Sequence, residues 1–189
     1  QARLDTIPAG ATLAWTAAAY QATLGDTTLA RRWLRILDRI PTGPDDNEER
    51  AALRTDVESR LAARAGHEAQ SLTGARQAYE DWGGHSSYSL EIVPELAMRW
   101  RLAELLRSRG LVGEAEPLYR SLCPPYTWVG FYTALSGLAL GEIEEGRRHP
   151  TEAAHYYRMA ARLWERGEPG VVGPWLARAE EGLRRVGES

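Results

Sequence analysis

The chain has 189 residues, 43% of them hydrophobic and 26% charged, a balance that fits a folded domain and excludes a disordered one. A formal net charge of -3 gives no electrostatic reason to expect nucleic acid as a partner. No apolar run approaches the roughly 20 residues that span a bilayer, and the one cysteine, Cys123, cannot form an internal disulfide.

Every basic side chain is arginine, since the sequence contains no lysine. A GC-rich coding sequence is enough to explain this; the functional alternative is a surface suited to carboxylates or phosphates, which the planar guanidinium fork matches. No signal peptide is visible. The chain begins with Gln1 rather than Met, which leaves open a fragment or a processed product with upstream signals missing. The expectation is a soluble chain, with the cytoplasm slightly favoured.

Residues 1–10, through Pro8-Ala9-Gly10, read as a linker or tail. From Ala11 to Leu24, Trp15, Ala18, Ala19 and Ala22 recur at helical spacing, and Gly25-Asp26 stops the helix. Asp26 or Thr27 can cap the next helix, which presents Ala30, Trp33, Leu34, Leu37 and Ile40 before Pro41. Residues 41–46 form a loop, where Asp45-Asp46 place negative charge at the start of a third helix. Leu53, Val57, Leu61 and Ala65 continue that helix to Gly66. A shorter helix with Leu72, Ala75, Ala78 and Trp82 follows, weakened by Gly74. Gly83-Gly84-His85-Ser86-Ser87 reads as a flexible connector.

A further helix runs from about Leu90 or Pro94 to Arg109, with Leu96, Trp100, Ala103 and Leu106 on one face. Gly110 turns the chain, and Ala115, Leu118, Tyr119 and Leu122 line the return. Pro117 conflicts with a helix interior, so that helix is expected to start near Gly113 or Glu114, or to kink. The next pair begins near Trp128. Gly137 and Gly141, four residues apart, permit close helix approach there, and Pro150 suits the first turn of the return helix. A last helix from about Pro174 to Val186 carries Arg178, Glu181, Arg184 and Arg185 and reads as a polar terminal cap. These are four hairpins, at about 11–41, 47–82, 90–123 and 128–166, with a cap at 174–186.

Leu102-Ala103, Gly110, Ala115, Tyr119 and Leu122 in the third hairpin follow the pattern of the tetratricopeptide repeat. So do Ala17-Ala18, Gly25-Asp26, Ala30 and Leu34 in the first, and Leu140-Gly141, Ala153, Tyr157 and Ala160 in the fourth, where Arg148 replaces the usual turn glycine. The second hairpin matches least, at Gly66 and a displaced Ala75. The chain therefore resembles the tetratricopeptide-repeat family. Residues 101–110 and 153–164 also look like C-terminal repeat regions of large bacterial regulatory proteins. The resemblance implies an all-α solenoid of antiparallel helix hairpins, a right-handed superhelix forming a single domain over 11–189. It also implies a concave groove lined by first helices: Trp15 and Ala19, then Asp56 and Arg60, then Trp100, Glu104 and Arg107, then Leu138, Glu142 and Glu145. Trp and Arg are common interface anchors, although Trp15 and Trp100 equally suit gaps between hairpins.

Little in the chain suggests catalysis. His67, His85, His149 and His155 lack the spacing of a helical zinc site, and no GxSxG, P-loop or dinucleotide fingerprint occurs. Glu142 and Glu145 share a helix face, where a solvated role outweighs acid–base work. No Lys is present and Asn47 is the one Asn, which argues against the repeat subclass that clamps peptide C-termini with Lys and Asn. The expectation is a non-catalytic scaffold for a protein or peptide, with no cofactor, no metal, no nucleic acid and no membrane insertion. Alternatives are an assembly subunit that packs through exposed hairpin faces into a homo-oligomer, and a small-molecule pocket near Trp128, Tyr132 and His155.

Overall fold

The computed structural model describes residues 7–41, 46–82, 92–123 and 130–187, and all regular structure among them is helical. The helices are α1 (Ile7–Leu24), α2 (Thr27–Leu37), α3 (Asp46–Arg64), α4 (Glu68–Trp82), α5 (Ile92–Arg107), α6 (Val112–Ser121), α7 (Gly130–Gly146), α8 (Pro150–Trp164) and α9 (Pro169–Gly187). Neighbouring helices pack in a hairpin-like series, and the fold is all-α. The chain divides into two compact units, residues 1–102 and 103–189, with the boundary inside α5.

Four tight turns carry the series. Gly25, Gly66 and Gly110 take φ values of 95°, 77° and 75°, in the left-handed region that suits a residue without Cβ. The fourth turn places Arg148 at φ 62°, at the position where the repeat pattern has glycine. An L-residue there costs roughly 1–2 kcal/mol, so the turn geometry is kept against the residue's own preference.

In unit 1, α1 pairs with α2 and α3 pairs with α4, and α3 also packs on α1 and α2. Ala11, Ala14, Ala18 and Ala22 are buried along α1 at spacings of three and four, and with Ala30 of α2 they let the two helices come close. Asp26 caps α2, its Oδ1 accepting from the Leu29 N–H at 2.9 Å. Helix α1 begins at Ile7, inside the stretch expected to be a linker; Pro8 sits in its first turn, where the missing N–H has no intrahelical partner to lose. Gly74 does not interrupt α4. A Cβ there would lie 2.9 Å from the Ser59 Cβ on α3, so its small size serves the contact between the two helices. The expected 83–87 connector lies outside the described residues.

In unit 2, α7 is the central helix. Thr133 to Gly141 are buried without interruption, because α6, α8 and α9 all pack on α7. The Tyr157 ring on α8 lies against Gly141 of α7 and Gly182 of α9. A Cβ on either glycine would come within 2.6 or 2.5 Å of ring carbons. Two expectations need correction. Helix α6 starts at Val112, so Pro117 is well inside it rather than in its first turn. Likewise α9 starts at Pro169, which puts Pro174 in its interior. In both cases the residue four positions earlier, Gly113 or Gly170, is exposed, so the carbonyl that loses its donor stays within reach of water.

Replacing Gly182 by Ala should force the Tyr157 ring or α9 to move. The expected cost is about 1–3 kcal/mol of unfolding free energy, read as a lower Tm in thermal denaturation. An unchanged Tm would show that α9 does not press on Tyr157.

Candidate functional site

The sequence-derived groove residues fall into two groups, one in each unit. Within unit 1, the Asp56 carboxylate on α3 is 1% exposed and tied to three side chains. Its Oδ2 accepts from the Trp15 indole N–H of α1 at 2.9 Å and from Arg60 Nε at 2.8 Å. Its Oδ1 accepts from Arg101 of α5 at 3.2 Å. Arg101 also donates to the Ser59 hydroxyl at 2.8 Å and to the Ser71 hydroxyl at 3.3 Å, and Ser59 donates to the Ser71 carbonyl at 2.7 Å. Burial alone would raise the Asp56 pKa, but the charges of Arg60 and Arg101 and the indole hydrogen bond outweigh it and hold the carboxyl below its usual range.

This arrangement corrects part of the groove assignment. Trp15 at 3% exposure, Ala19 at 7% and Asp56 are interior, so none of them presents a face to a partner in this structure. Helical spacing places them on one side of α1 and α3, and the neighbouring helices of unit 1 cover that side. Arg60 reaches inward to Asp56, and Trp100 is half-buried on α5.

Within unit 2, the assigned charged residues meet. Arg107, at the end of α5, donates to Glu142 of α7 at 2.7 Å and to Glu104 at 3.4 Å. Glu142 is also paired with Arg178 of α9 at 2.6 Å. Burial works to lower the Arg107 pKa, but its hydrogen bond to Glu142 and the charge of Glu104 raise it above its ordinary value. Three residues further along α7, Glu145 accepts both arms of Arg185, at 2.7 and 2.9 Å, and the Tyr157 hydroxyl at 2.6 Å. The Arg185 hydrogen bond holds the Glu145 carboxyl below its usual range. The Tyr119 hydroxyl donates to Glu104, and its burial together with that carboxylate pushes its pKa up. Leu138 lies on α7 at 3% exposure and belongs to the core rather than to any groove.

Beside this ladder is an open cleft of about 470 Å³, lined by Arg107, Val112, Glu142, Ile143, Gly146 and Arg147. Arg147 bonds Glu116 of α6 at 2.6 Å and Glu144 at 3.1 Å, and Glu144 also meets His149 at 2.9 Å. The cleft therefore has an apolar floor of Val112 and Ile143 with cationic and anionic groups fixed at its edge. Arg147, Arg178 and Arg185 were missed as site residues. The available signal was the seven-residue spacing of Arg178 and Arg185, which puts both on one face of a helix taken for a solvent-facing cap.

The other candidates reduce to structural contacts. Burial pushes the Cys123 thiol up to about 11, away from the range of a ready nucleophile. His155 lies edge-on to Tyr156, with ring centres 5.3 Å apart. Trp128, part of the proposed small-molecule pocket, lies outside the described residues. No protein-family profile, curated protein or solved structure matches the chain. Among the described residues, no helix is long and apolar enough to cross a membrane.

Removing the Asp56 carboxylate should take away the ion-pair partner that buried Arg101 and partly buried Arg60 share. Asp56→Ala is expected to lose about 3–5 kcal/mol of stability. Because the folded carboxyl is held below its usual pKa, its contribution is complete above about pH 4 and is lost as pH falls through the lower folded value. Urea midpoints measured from neutral pH down to pH values below that range should therefore fall more steeply in the parent chain than in Asp56→Asn. Parallel curves would show that Asp56 does not contribute to the acid sensitivity.

Proposed function

We propose that this chain is a non-catalytic protein- or peptide-binding scaffold, the docking region of a larger regulatory protein, and that the cleft of unit 2 receives an extended segment of the partner. The observation that carries the reading is the cleft itself: an apolar strip, Val112 and Ile143, bordered by Arg107, Glu142 and Arg147. Each of these charged groups is already oriented by a neighbour, so little side-chain entropy is left to lose on binding. Mixed charge around an apolar floor suits a peptide backbone with alternating side chains. Glu142 and Glu145, the pair of carboxylates best spaced for acid–base work, are each committed to arginine, which favours recognition over proton transfer. The hairpin series and its left-handed turns support a tetratricopeptide-like reading, in which such modules present grooves to other chains.

The test is a selection of peptides from a displayed random library on the immobilised chain, followed by titration of the best one. Arg107→Ala and Arg147→Ala should each raise its Kd, the pair together by about tenfold or more. Equal affinity in parent and double variant, with the fold intact by circular dichroism, would remove the cleft from the proposal.

A second reading, self-assembly, draws on apolar side chains exposed on the surface of unit 2. Phe131, Leu163 and Val171 are 45%, 41% and 57% exposed. Phe131 meets Trp175 edge-on at 5.7 Å, and Trp175 stacks on Trp164. If copies associate through this patch, light scattering should report a dimer or higher species that Phe131→Ser together with Leu163→Ser returns to monomer. A parent chain that stays monomeric at every concentration rejects this reading.

A further inference from the structure

Unit 1 has its own cleft, separate from the one above, with a volume of about 630 Å³. Arg31, Leu34 and Arg35 of α2 form one wall, and Arg54, Glu58 and Leu61 of α3 form the other. Asp38 lies at the end of α2, and His67 borders the cleft from the turn before α4. Its volume falls in the range of sites that enclose a small ligand or a few residues of a peptide.

The charges in this cleft are unevenly satisfied. Arg54 bonds Asp38 and also pairs with Glu58 at 2.9 Å, so one guanidinium uses both carboxylates of the walls. Arg31 and Arg35 are exposed and pair with no carboxylate among the described residues. They stand one helical turn apart on the same face of α2, which sets their Cβ atoms roughly 5–6 Å from each other. Three guanidiniums against two carboxylates leave one positive charge in excess, in a chain whose overall formal charge is -3. Between the charged walls, Leu34 and Ala62 are buried and Leu61 is half-buried, which gives the cleft an apolar floor.

We propose that the α2–α3 cleft binds a short acidic peptide segment, with carboxylates on Arg31 and Arg35 and an apolar side chain against Leu34 and Leu61. Paired guanidiniums suit carboxylates because each offers a planar fork of donors, and hydrogen bonds between charged partners are about twice as strong as neutral ones. A nucleic-acid strand fits less well. Its continuous phosphates would run past Asp38 and Glu58, and the apolar floor offers no aromatic side chain on which a base can stack.

The probe is a fluorescein-labelled octapeptide alternating glutamate and leucine, titrated with the full chain and followed by fluorescence anisotropy. Saturable binding that weakens with salt is expected, and the same peptide with glutamine for glutamate should lose it. Arg31→Glu with Arg35→Glu should weaken binding by about tenfold or more. Arg32→Glu, on the same helix but not lining the cleft, should change it by less than about twofold. Arg31→Gln with Arg35→Gln gives the same comparison without charge reversal should the first pair disturb the fold. Four results would each overturn the proposal. They are no saturable binding, equal binding of the glutamine peptide, an Arg32→Glu loss as large as that of the pair, or tighter binding of a single-stranded oligonucleotide of equal charge that the same pair abolishes.

Discussion

The closest helix pairings in this chain form where one partner carries almost no side chain, and that constraint positions the rest of each unit. In unit 1 the contact between α1 and α2 runs over Ala18, Ala22 and Ala30, all fully buried. Ala52, Ala75 and Ala78 do the same for α3 and α4, helped by Gly74 against Ser59. In unit 2 the partners are unequal: Gly141 and Gly182 make room for a whole tyrosine ring. Tyr157 is thereby fully buried, Tyr119 is fully buried as well, and their hydroxyls donate to Glu145 and Glu104 respectively. An aromatic residue so placed adds a large apolar area and still keeps a polar handle on the charged ladder. Packing therefore positions the site: the same close approach that forms the core of unit 2 sets the register of α7 carboxylates against α5 and α9 arginines.

The two units treat charge differently. Asp56 is an interior ion whose oxygens accept from an indole and two guanidiniums, and one of those guanidiniums, that of Arg101, also donates to Ser59 and Ser71. Such a cluster adds little net stability relative to a well-packed apolar core, but it penalises strongly any arrangement that leaves one member unpaired. It thus selects one alignment of α1, α3 and the first turns of α5. The ladder on α7 is more exposed, so its pairs are screened by water and add less each. Its value is orientation. Arg107 held between Glu104 and Glu142, and Arg185 held in two-point contact by Glu145, keep their donors pointing in fixed directions.

The helical series was legible because its signals are local. Alanine spacing marked α1, and Gly25, Gly66 and Gly110 marked turns that the structure places at positive φ. Arg148 was recognised as standing where a glycine is usual, and its backbone adopts the glycine conformation nonetheless. Pro117 and Pro174 lie inside α6 and α9, where the solvent exposure that makes an interior proline tolerable is a tertiary property that local sequence does not show. The site was legible only in part for the same reason. Periodicity says which residues share a face, but not which neighbour covers it. Trp15, Ala19, Asp56 and Leu138 share faces with groove positions and are nevertheless interior. Glu104, Arg107, Glu142 and Glu145 keep their long polar side chains partly exposed, and the ion pairs that hold them, to one another or to Arg178 and Arg185, are tertiary contacts that periodicity does not indicate.

The absence of lysine takes on meaning in this setting. Arginines 107, 120, 147, 178 and 185 each meet at least one carboxylate within unit 2. Several of these contacts are forked or shared, as when Arg120 and Arg147 both hold Glu116 and lower its pKa, the Arg147 hydrogen bond being the larger influence. A lysine ammonium offers a single point of charge and could not bridge two helices in this way. On α2, by contrast, Arg31 and Arg35 have the same chemistry and pair with no carboxylate among the described residues. The α5–α9 ladder and the outer face of α2 therefore differ in electrostatic state: the guanidiniums of the first are held by carboxylates, and those of Arg31 and Arg35 meet none among the described residues. A surface whose guanidiniums are already paired gains selectivity from shape, whereas one with unpaired guanidiniums gains it from the charge of whatever arrives.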